Sequence, residues 1–351
     1  MKVCIVGGGN LGHAYSGIMP VNIDVVVLTR RPNDWSNTIC ILDENKQIVQ
    51  THKIHATSDS SELTNADVII ITLPCTARLT TLTNIAQYIS PKSLLICAPT
   101  TGGTNFLFNK LFPNNPYACL QRVPYICRTI NYGNSVFASP KQSLEVFFSK
   151  NCSKHHYDLF NQIHNIPFTK LQSYWPLVLS NSNPIIHIAR ICEIIQNNYP
   201  SNKQYLFYEQ WGNTASQIAL AMDNELKQVM QALNVSEYRD LLTHYQVADQ
   251  TELTNKIQSI PSFRGIVAPM ININGKYHID SNSRYIQEDL PYGTCFIKYI
   301  AQHLGIKTPN IDKAIVQIQP ILGHTLLQNN TLNTDLFIQY LGYDIKNYID
   351  I

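Results

Sequence analysis

The chain has 351 residues, of which 44% are hydrophobic and 14% charged, so it is long enough for two domains with sizeable cores. Its 26 basic and 24 acidic residues give a net charge of +2, which excludes an electrostatic case for binding nucleic acid or an anionic membrane. No apolar run approaches the roughly 20 residues that cross a bilayer.

The cysteines and histidines favour neither disulfides nor a metal site. The nine cysteines are scattered and form no Cys-x-x-Cys motif, which is typical of free thiols in a reducing cytoplasm. Met1-Lys2 runs directly into Val-Cys-Ile-Val without a signal-peptide pattern, so a cytoplasmic location is expected. The eleven histidines show no convincing ligand spacing, and we expect no bound metal. The pairs His52-x-x-His55 and His155-His156 are expected at the surface.

The N-terminal segment carries a dinucleotide-binding pattern. An apolar strand, Lys2 to Val6, precedes a G-x-G-x-x-G turn and a helix-like segment, which is the context that the motif requires. Its glycines permit a tight turn, approach of a pyrophosphate to the backbone, and close helix–strand packing. The alternative is a glycine-rich turn without a ligand. The predicted cofactor-binding residues of this turn are Gly7, Gly9, Asn10, Leu11 and Gly12.

The end of the second strand indicates which dinucleotide is bound. The strand Asp24 to Thr29 runs into Arg30-Arg31-Pro32. An NAD site normally has an acidic residue here for the ribose 2′-hydroxyl, whereas an arginine accommodates the 2′-phosphate of NADP. We predict Arg30 as the first contact, stacking on adenine or pairing with phosphate, and Arg31 as the second. Both could instead be solvated charges; the prediction is NADP(H).

Further apolar segments continue the α/β pattern. Asp67–Pro74 and Ser93–Ala98 predict buried parallel strands. Loops at the carboxyl ends of such strands bind ligands, which places Leu73 and Pro74 near the nicotinamide ribose. We predict residues 1–174 to be an NADP-binding Rossmann-like domain.

From Trp175 the periodicity becomes helical, which predicts a mainly α-helical domain over residues 175–351. In its first apolar helix, Asn183 and His187 are four residues apart and share one face. Asn183-Pro184 could instead start the helix. A single histidine among isoleucines is more often a satisfied core residue than a catalyst.

The segment from Arg284 to Gly293 places a guanidinium and the Asp289 carboxylate five residues apart, before an apolar helical run. Arginine can hold a substrate carboxylate with two parallel hydrogen bonds. Aspartate can orient and polarise a catalytic histidine. The alternative is a loop whose aspartate caps the next helix.

Taken in order, the N-terminal fingerprint, Asn183-Pro-x-x-His187 and Arg284-Tyr-x-x-Glu-Asp289-x-Pro-Tyr-Gly293 resemble the opine dehydrogenase family of the octopine/nopaline dehydrogenase type. The resemblance covers essentially the whole chain. Arg30-Arg31, Gln121–Tyr125 and Phe207-Tyr208 look closest to the staphylopine dehydrogenase-like branch, which makes opine metallophores. One departure is Thr294-Cys295, where an apolar residue is expected; we expect it to affect packing more than chemistry.

The resemblance implies an NADPH-dependent reaction that joins the amine of an amino-acid-like substrate to an α-keto acid, such as pyruvate or 2-oxoglutarate, through an imine. A metallophore precursor is one candidate amine. By resemblance, His187 transfers protons, Asp289 pairs with it and Arg284 holds a carboxylate. Asn183 and Tyr208 are second-rank candidates for lining the site.

Two other functions stay open: an NADP-dependent keto or hydroxy acid reductase without an amine partner, and a non-catalytic NADP-binding sensor. The expected partners are therefore small molecules, with no nucleic acid and no membrane. A homodimer is the commonest oligomeric state on general grounds. Asp223 and Glu225, on a long helical stretch, are expected to be structural.

Overall fold

The computed structural model describes residues 1–197, 199–236 and 238–348. The chain forms two compact units, Met1–Leu177 and Val178–Ile351. The boundary predicted after residue 174 lies three residues before the end of the first unit at Leu177.

The first unit is an α/β structure. Its strands are β1 (Lys2–Val6), β2 (Asp24–Leu28), β3 (Thr38–Leu42), β4 (Ile48–Lys53), β5 (His55–Thr57), β6 (Val68–Ile71), β7 (Leu94–Cys97), β8 (Tyr117–Leu120), β9 (Tyr125–Asn131), β10 (Ser135–Pro140), β11 (Leu144–Phe148) and β12 (Phe168–Lys170). Its helices are α1 (Asn10–Ile18), α2 (Cys75–Ile85), α3 (Thr104–Leu111) and α4 (Lys154–His164), and α5 (Trp175–Leu179) spans the division between the units.

Two sheets organise this unit. The larger has eight strands in the order β12-β11-β8-β7-β6-β1-β2-β5, all paired in parallel except β11 with β8. Its central strands β6 and β7 are apolar and buried at every position, as expected for parallel strands covered on both faces. A second, four-stranded sheet has the order β4-β3-β10-β9.

The second unit is mainly helical. Its α-helices are α6 (Asn183–Gln196), α7 (Asn213–Ala232), α8 (Leu241–Tyr245), α9 (Gln250–Ser259), α10 (Cys295–His303), α11 (Pro309–Leu322) and α12 (Thr334–Leu341). Two short hairpins accompany them, β13 (Met270–Ile273) with β14 (Lys276–Ile279), and β15 (Leu327–Gln328) with β16 (Thr331–Leu332). The predicted fold class, a Rossmann unit followed by a helical unit, is confirmed.

The segment that contains Asp289 is a π-helix, Tyr285–Thr294, which continues directly into α10. The alternative interpretation, a loop whose aspartate caps the next helix, is therefore wrong. Proline commonly marks a helix start, and Pro291 obscured the fact that the wider π-helical turns begin before it. Such turns are often found at functional sites.

Candidate active site

The glycine-rich turn has the geometry that its sequence predicts. Gly7 has φ +121°, a conformation that side chains rarely adopt. A Cβ atom on Gly12 would lie 2.0 Å from the Gly7 carbonyl oxygen, so only glycine lets α1 start this close to β1. A Cβ on Gly9 would meet nothing within 4 Å, which leaves the backbone open on that side. Asn10 begins α1 and accepts a hydrogen bond from the Thr129 backbone N–H.

The two arginines after β2 differ in their surroundings. Both are exposed and line one groove with Gly7 to Gly9, Leu73 and Pro74. The Arg31 guanidinium lies 4.2 Å above the ring of Tyr132, and its Nε is 3.6 Å from a carboxylate oxygen of Asp34. Arg31 is thus held by Tyr132 and Asp34, whereas Arg30 borders the groove beside Thr29.

The loop that begins with Leu73 is positioned by a residue that the sequence did not single out. Arg78, buried on α2, donates hydrogen bonds to the carbonyl oxygens of Leu73, Pro99 and Thr101 at 3.0, 2.8 and 3.1 Å. It therefore ties together the loops after β6 and β7. An arginine seven residues after a strand end carries no sequence signal for this role.

Tyr132 was also missed. It lies in the turn between β9 and β10, in the second sheet, and lines the dinucleotide groove. His13 of α1 holds this turn, since its Nε2 accepts a hydrogen bond from the Gly133 backbone N–H at 2.8 Å. Pairing of β9 with β10 brings Tyr132 to the groove. No local sequence motif predicts this position.

In the helical unit, His187 is the centre of a buried hydrogen-bonded chain. Its Nδ1 lies 2.7 Å from Oδ2 of Asp289, and its Nε2 lies 2.7 Å from the hydroxyl of Tyr208. His187, Asp289 and Tyr208 are 4, 4 and 5% exposed. The structure thus joins residues from α6, the π-helix and the turn before α7. We call this chain the Asp289–His187–Tyr208 triad.

Aromatic rings surround the triad. The ring of Tyr285 lies 4.3 Å from that of His187, and Phe207 stacks on Tyr285. The ring of Tyr208 stacks on Phe263 with centroids 4.0 Å apart. Burial raises the pKa values of both Tyr208 and Tyr285 above the usual range, so both phenols stay protonated at neutral pH.

The two sequence motifs of this unit pack directly on each other. A Cβ on Gly293 would lie 2.4 Å from side-chain atoms of Pro184, so glycine is required where the π-helix crosses the start of α6. The hydroxyl of Thr294 donates to the Pro184 carbonyl oxygen at 2.7 Å. The unexpected polar residue at 294 therefore joins the two elements that carry Asp289 and His187.

The remaining predicted residues lie around this core. Asn183 is the first residue of α6, half-buried and one turn before His187, with Ser182 in the capping position. Arg284 immediately precedes the π-helix; it is exposed, and its charge lowers the pKa values of Tyr208 and Tyr285 against the dominant effect of burial. Exposure leaves its guanidinium accessible to a ligand.

Asp223 and Glu225 have structural partners. Asp223 accepts from the Tyr238 hydroxyl and the Leu241 backbone N–H, and burial raises its pKa to about 6. Glu225 accepts from the Asn310 and Ile311 backbone N–H groups at the start of α11. Both carboxylates hold helices of this unit together.

Within 1–197, 199–236 and 238–348, no cluster of three or more His, Cys, Asp or Glu side chains could hold a metal ion. In the same ranges, no helix has both the length and the apolarity to cross a membrane. The expected surface position of His52 is wrong: it is buried, and its Nε2 bonds to the Ile23 carbonyl oxygen.

Comparison with protein families gives two matches. Residues 170–322 match the NAD/NADP octopine/nopaline dehydrogenase alpha-helical domain. Residues 3–123 match the ketopantoate reductase PanE/ApbA family. The two matches correspond to the helical and Rossmann-like parts of the chain.

Similar proteins cover nearly the whole chain. Octopine dehydrogenase of Mizuhopecten yessoensis is 24% identical over 95% of this chain and 92% of its own length. Tauropine dehydrogenase of Arabella iricolor is 24% identical over 92% of each. A solved octopine dehydrogenase with NADH and L-arginine has a TM-score of 0.86 at 22% identity, covering 98% of this chain and 96% of that one.

A solved yersinopine dehydrogenase with NADP+ has a TM-score of 0.74 at 11% identity and covers 99% of both chains. These structural likenesses concern the fold, and the staphylopine dehydrogenase-like branch stays a prediction. The helical-domain match and the full-length relatives agree with the ordered motifs. The chain is therefore similar over nearly its whole length to octopine and tauropine dehydrogenases, and its helical part matches the octopine/nopaline dehydrogenase domain.

Proposed function

We propose that this protein is an opine dehydrogenase, which condenses the amine of an amino-acid-like substrate with an α-keto acid and reduces the resulting imine. The observation that carries the proposal is the Asp289–His187–Tyr208 triad, held between the two family motifs. A proton-transfer group is required because the amine must lose a proton before it attacks and the carbonyl oxygen must leave as water.

His187 has the surroundings of a general acid–base. Asp289 accepts the hydrogen bond from Nδ1–H, which leaves the lone pair of neutral imidazole on Nε2. The same carboxylate stabilises the imidazolium when Nε2 takes a proton. Asp289 therefore serves to orient His187 and to stabilise its charged form.

Arg284 is the proposed holder of a substrate carboxylate. Its guanidinium is exposed and lies beside the tyrosines that surround His187. Both substrate classes carry a carboxylate next to the reacting group, and arginine binds carboxylates in a bidentate fashion. This contact would fix the substrate relative to the triad.

The groove of the first unit fits a nicotinamide dinucleotide, with NADP(H) as the proposed form. The free N–H groups of α1 and the close Gly7–Gly12 approach suit a pyrophosphate. Arg30 beside Thr29 suits a 2′-phosphate. When bound, the reduced nicotinamide supplies the hydride. The similar structures include octopine dehydrogenase with NADH and yersinopine dehydrogenase with NADP+, and the test below compares both cofactors.

The test is a product analysis with panels of amines and keto acids. Pyruvate and 2-oxoglutarate are paired with L-arginine, agmatine, taurine and metallophore precursors, each with NADPH and with NADH. We expect cofactor oxidation only when both substrates are present, with a product mass equal to their condensate plus two hydrogens. Oxidation by a keto acid alone would instead identify a keto acid reductase. Absence of turnover with intact NADPH binding would favour a sensor.

The proposal also includes a cytoplasmic location and a homodimer, both inferred from sequence. Sedimentation analysis of the purified protein measures the second. A metallophore product is one version of the same reaction, and the amine panel decides it.

A further inference from the structure

We propose that Tyr208 is the catalytic residue that exchanges protons with the substrate, and that His187 acts through it. This inference rests on the opine dehydrogenase reaction proposed above and names the group that touches its reacting atoms. It begins from the fact that both ring nitrogens of His187 are already bonded, Nδ1 to Asp289 and Nε2 to Tyr208.

In the hydrogen-bonded triad, the polar atom that follows Nε2 of His187 is the phenol oxygen of Tyr208. A phenol has one donor and two acceptor positions, so its bond to Nε2 leaves further hydrogen-bonding capacity. The imidazole has no third position, and its side chain is only 4% exposed. A substrate that approaches the triad from the Tyr208 end therefore meets the hydroxyl before the histidine.

The direction of the phenol O–H bond depends on the charge of His187. With neutral imidazole, Nε2 accepts the phenol proton, and the phenol oxygen can accept a proton from outside. With imidazolium, Nε2–H donates to the phenol oxygen, and the phenol O–H is free to donate outward. Burial raises the pKa of Tyr208, so the phenol transmits a proton while remaining protonated.

The reaction needs such a two-way group. The substrate ammonium gives one proton to Tyr208 as the phenol proton moves to Nε2 of His187. The free amine forms a C–N bond with the keto carbon, and a nitrogen proton moves to the oxygen, giving a carbinolamine. The stored proton then returns through Tyr208 to the hydroxyl, the C–O bond breaks and water leaves. The iminium carbon receives hydride, and the neutral secondary amine takes a proton from solution.

A buried ion pair positions Tyr208 on His187. Arg190, one turn after His187 on α6, donates from Nε to the Phe207 carbonyl oxygen at 2.9 Å, and it pairs with Glu193. Glu193 in turn accepts from the backbone N–H of Gly212 at 3.1 Å. The helix that carries His187 therefore also holds both ends of the turn that carries Tyr208. Arg190 and Glu193 are positioning residues.

The first test replaces Tyr208 by Phe, which keeps the ring that stacks on Phe263 and removes the hydroxyl. We expect kcat to fall by about 10²-fold or more, as for loss of a positioned proton-transfer group. Cofactor affinity and the KM values should stay within about threefold, since ground-state binding is retained. Tyr205→Phe is the matched control, because it also keeps the ring and removes a hydroxyl, one that donates to the Asn197 carbonyl oxygen at the surface; it should retain wild-type kcat.

A second readout is the pH dependence of kcat. Tyr208→Phe removes the hydroxyl that bonds Nε2 and exchanges protons with the substrate, so its pH–kcat profile should differ from that of the wild type; Tyr205→Phe should keep the wild-type profile. A Tyr208→Phe enzyme with kcat within about threefold of wild type and an unchanged profile would overturn the inference. If wild-type protein oxidises cofactor without any amine, the proposed function itself is wrong.

A double-mutant cycle tests the positioning role. Arg190→Lys keeps the charge but loses the Nε bond to Phe207, and it should lower kcat by about tenfold with little change in KM. In the Tyr208→Phe background the same change should have no further effect, because the hydroxyl that it positions is absent. Equal losses in both backgrounds would show that Arg190 acts independently of the Tyr208 hydroxyl and would overturn its positioning role.

Discussion

The dinucleotide groove and the Asp289–His187–Tyr208 triad present their functional atoms in opposite ways. The groove is lined by the backbone of the glycine turn, exposed at Gly9, and by the solvent-facing arginines after β2. The triad is formed by side chains that are about 95% buried and come from three separate elements. The groove depends on positions where a side chain is absent. The triad depends on the hydrogen-bond partner of each polar atom.

The two sites should therefore lose function through different kinds of substitution. The groove should fail when a side chain is added at Gly7 or Gly12, because neither position has space for one. The triad should fail when a polar atom is removed, because a buried donor or acceptor without its partner is costly.

Replacing His187 by Ala should lower turnover by about 10²- to 10⁴-fold, the usual contribution of a positioned acid–base. The dissociation constant of NADPH, measured by fluorescence titration, should not change, because the groove lies in the first unit. Survival of full turnover would contradict the assignment of His187.

The two units should respond to acid with opposite signs. Burial lowers the pKa of His164 in α4 to about 4, from an unfolded value of 6.5. Above pH 6.5, His164 is neutral in both the folded and the unfolded state. As pH falls from 6.5 towards 4, the unfolded chain binds this proton first, so up to about 3 kcal/mol of the free energy of unfolding is lost. Asp223, with its pKa raised from 3.8 to about 6, makes the folded state gain stability over pH 6 to 3.8.

Thermal melting at pH 7.5 and pH 5 measures both effects. His164→Gln should reduce the loss of Tm on acidification, because it removes the group that disfavours the acid state. Asp223→Asn should increase that loss. Shifts of the same sign in the two variants would refute the contrast.

Gly12→Ala should destabilise the first unit by about 1–3 kcal/mol, the usual cost of overpacking, and weaken cofactor binding as well. The added methyl would meet the Gly7 carbonyl at 2.0 Å. Gly9→Ala is the matched control, since its methyl meets no protein atom within 4 Å. We expect Gly9→Ala to leave Tm unchanged and to weaken NADPH alone, through contact with the pyrophosphate. Equal Tm losses in the two variants would disprove this explanation.

Arg30→Asp should weaken NADPH relative to NADH by about tenfold, since a charged hydrogen bond is replaced by repulsion of the 2′-phosphate. Arg31→Asp should change this ratio less, because Arg31 is already engaged by Tyr132 and Asp34. Titration of both variants with both cofactors decides the matter. An unchanged ratio in Arg30→Asp would remove the basis for NADP preference.

The groove was predictable because its determinants are local. Gly7, Gly12 and Arg30 lie within one strand–turn–helix–strand stretch, and the backbone conformation follows directly from the glycines. Tyr132 and Arg78 were not predictable, because each reaches the groove or its loops through pairing and packing of other elements.

The triad was predictable only in part. His187 and Asp289 are 102 residues apart, and the motifs that contain them suggested a pair without its geometry. The π-helix was not predicted, since its sequence contains Pro291 and resembles a helix start. The Thr294 bond to the Pro184 carbonyl was unforeseen for the same reason: it needs two helices in contact.

The Rossmann-plus-helical architecture, the glycine turn and the motif residues could be read from the amino-acid sequence, because they depend on periodicity and on short-range backbone sterics. Only the tertiary structure decided that His187 bonds Tyr208 as well as Asp289, and that Arg190 and Glu193 hold that tyrosine. Hydrogen bonds act over about 3 Å, so their partners are defined by packing rather than by spacing along the chain.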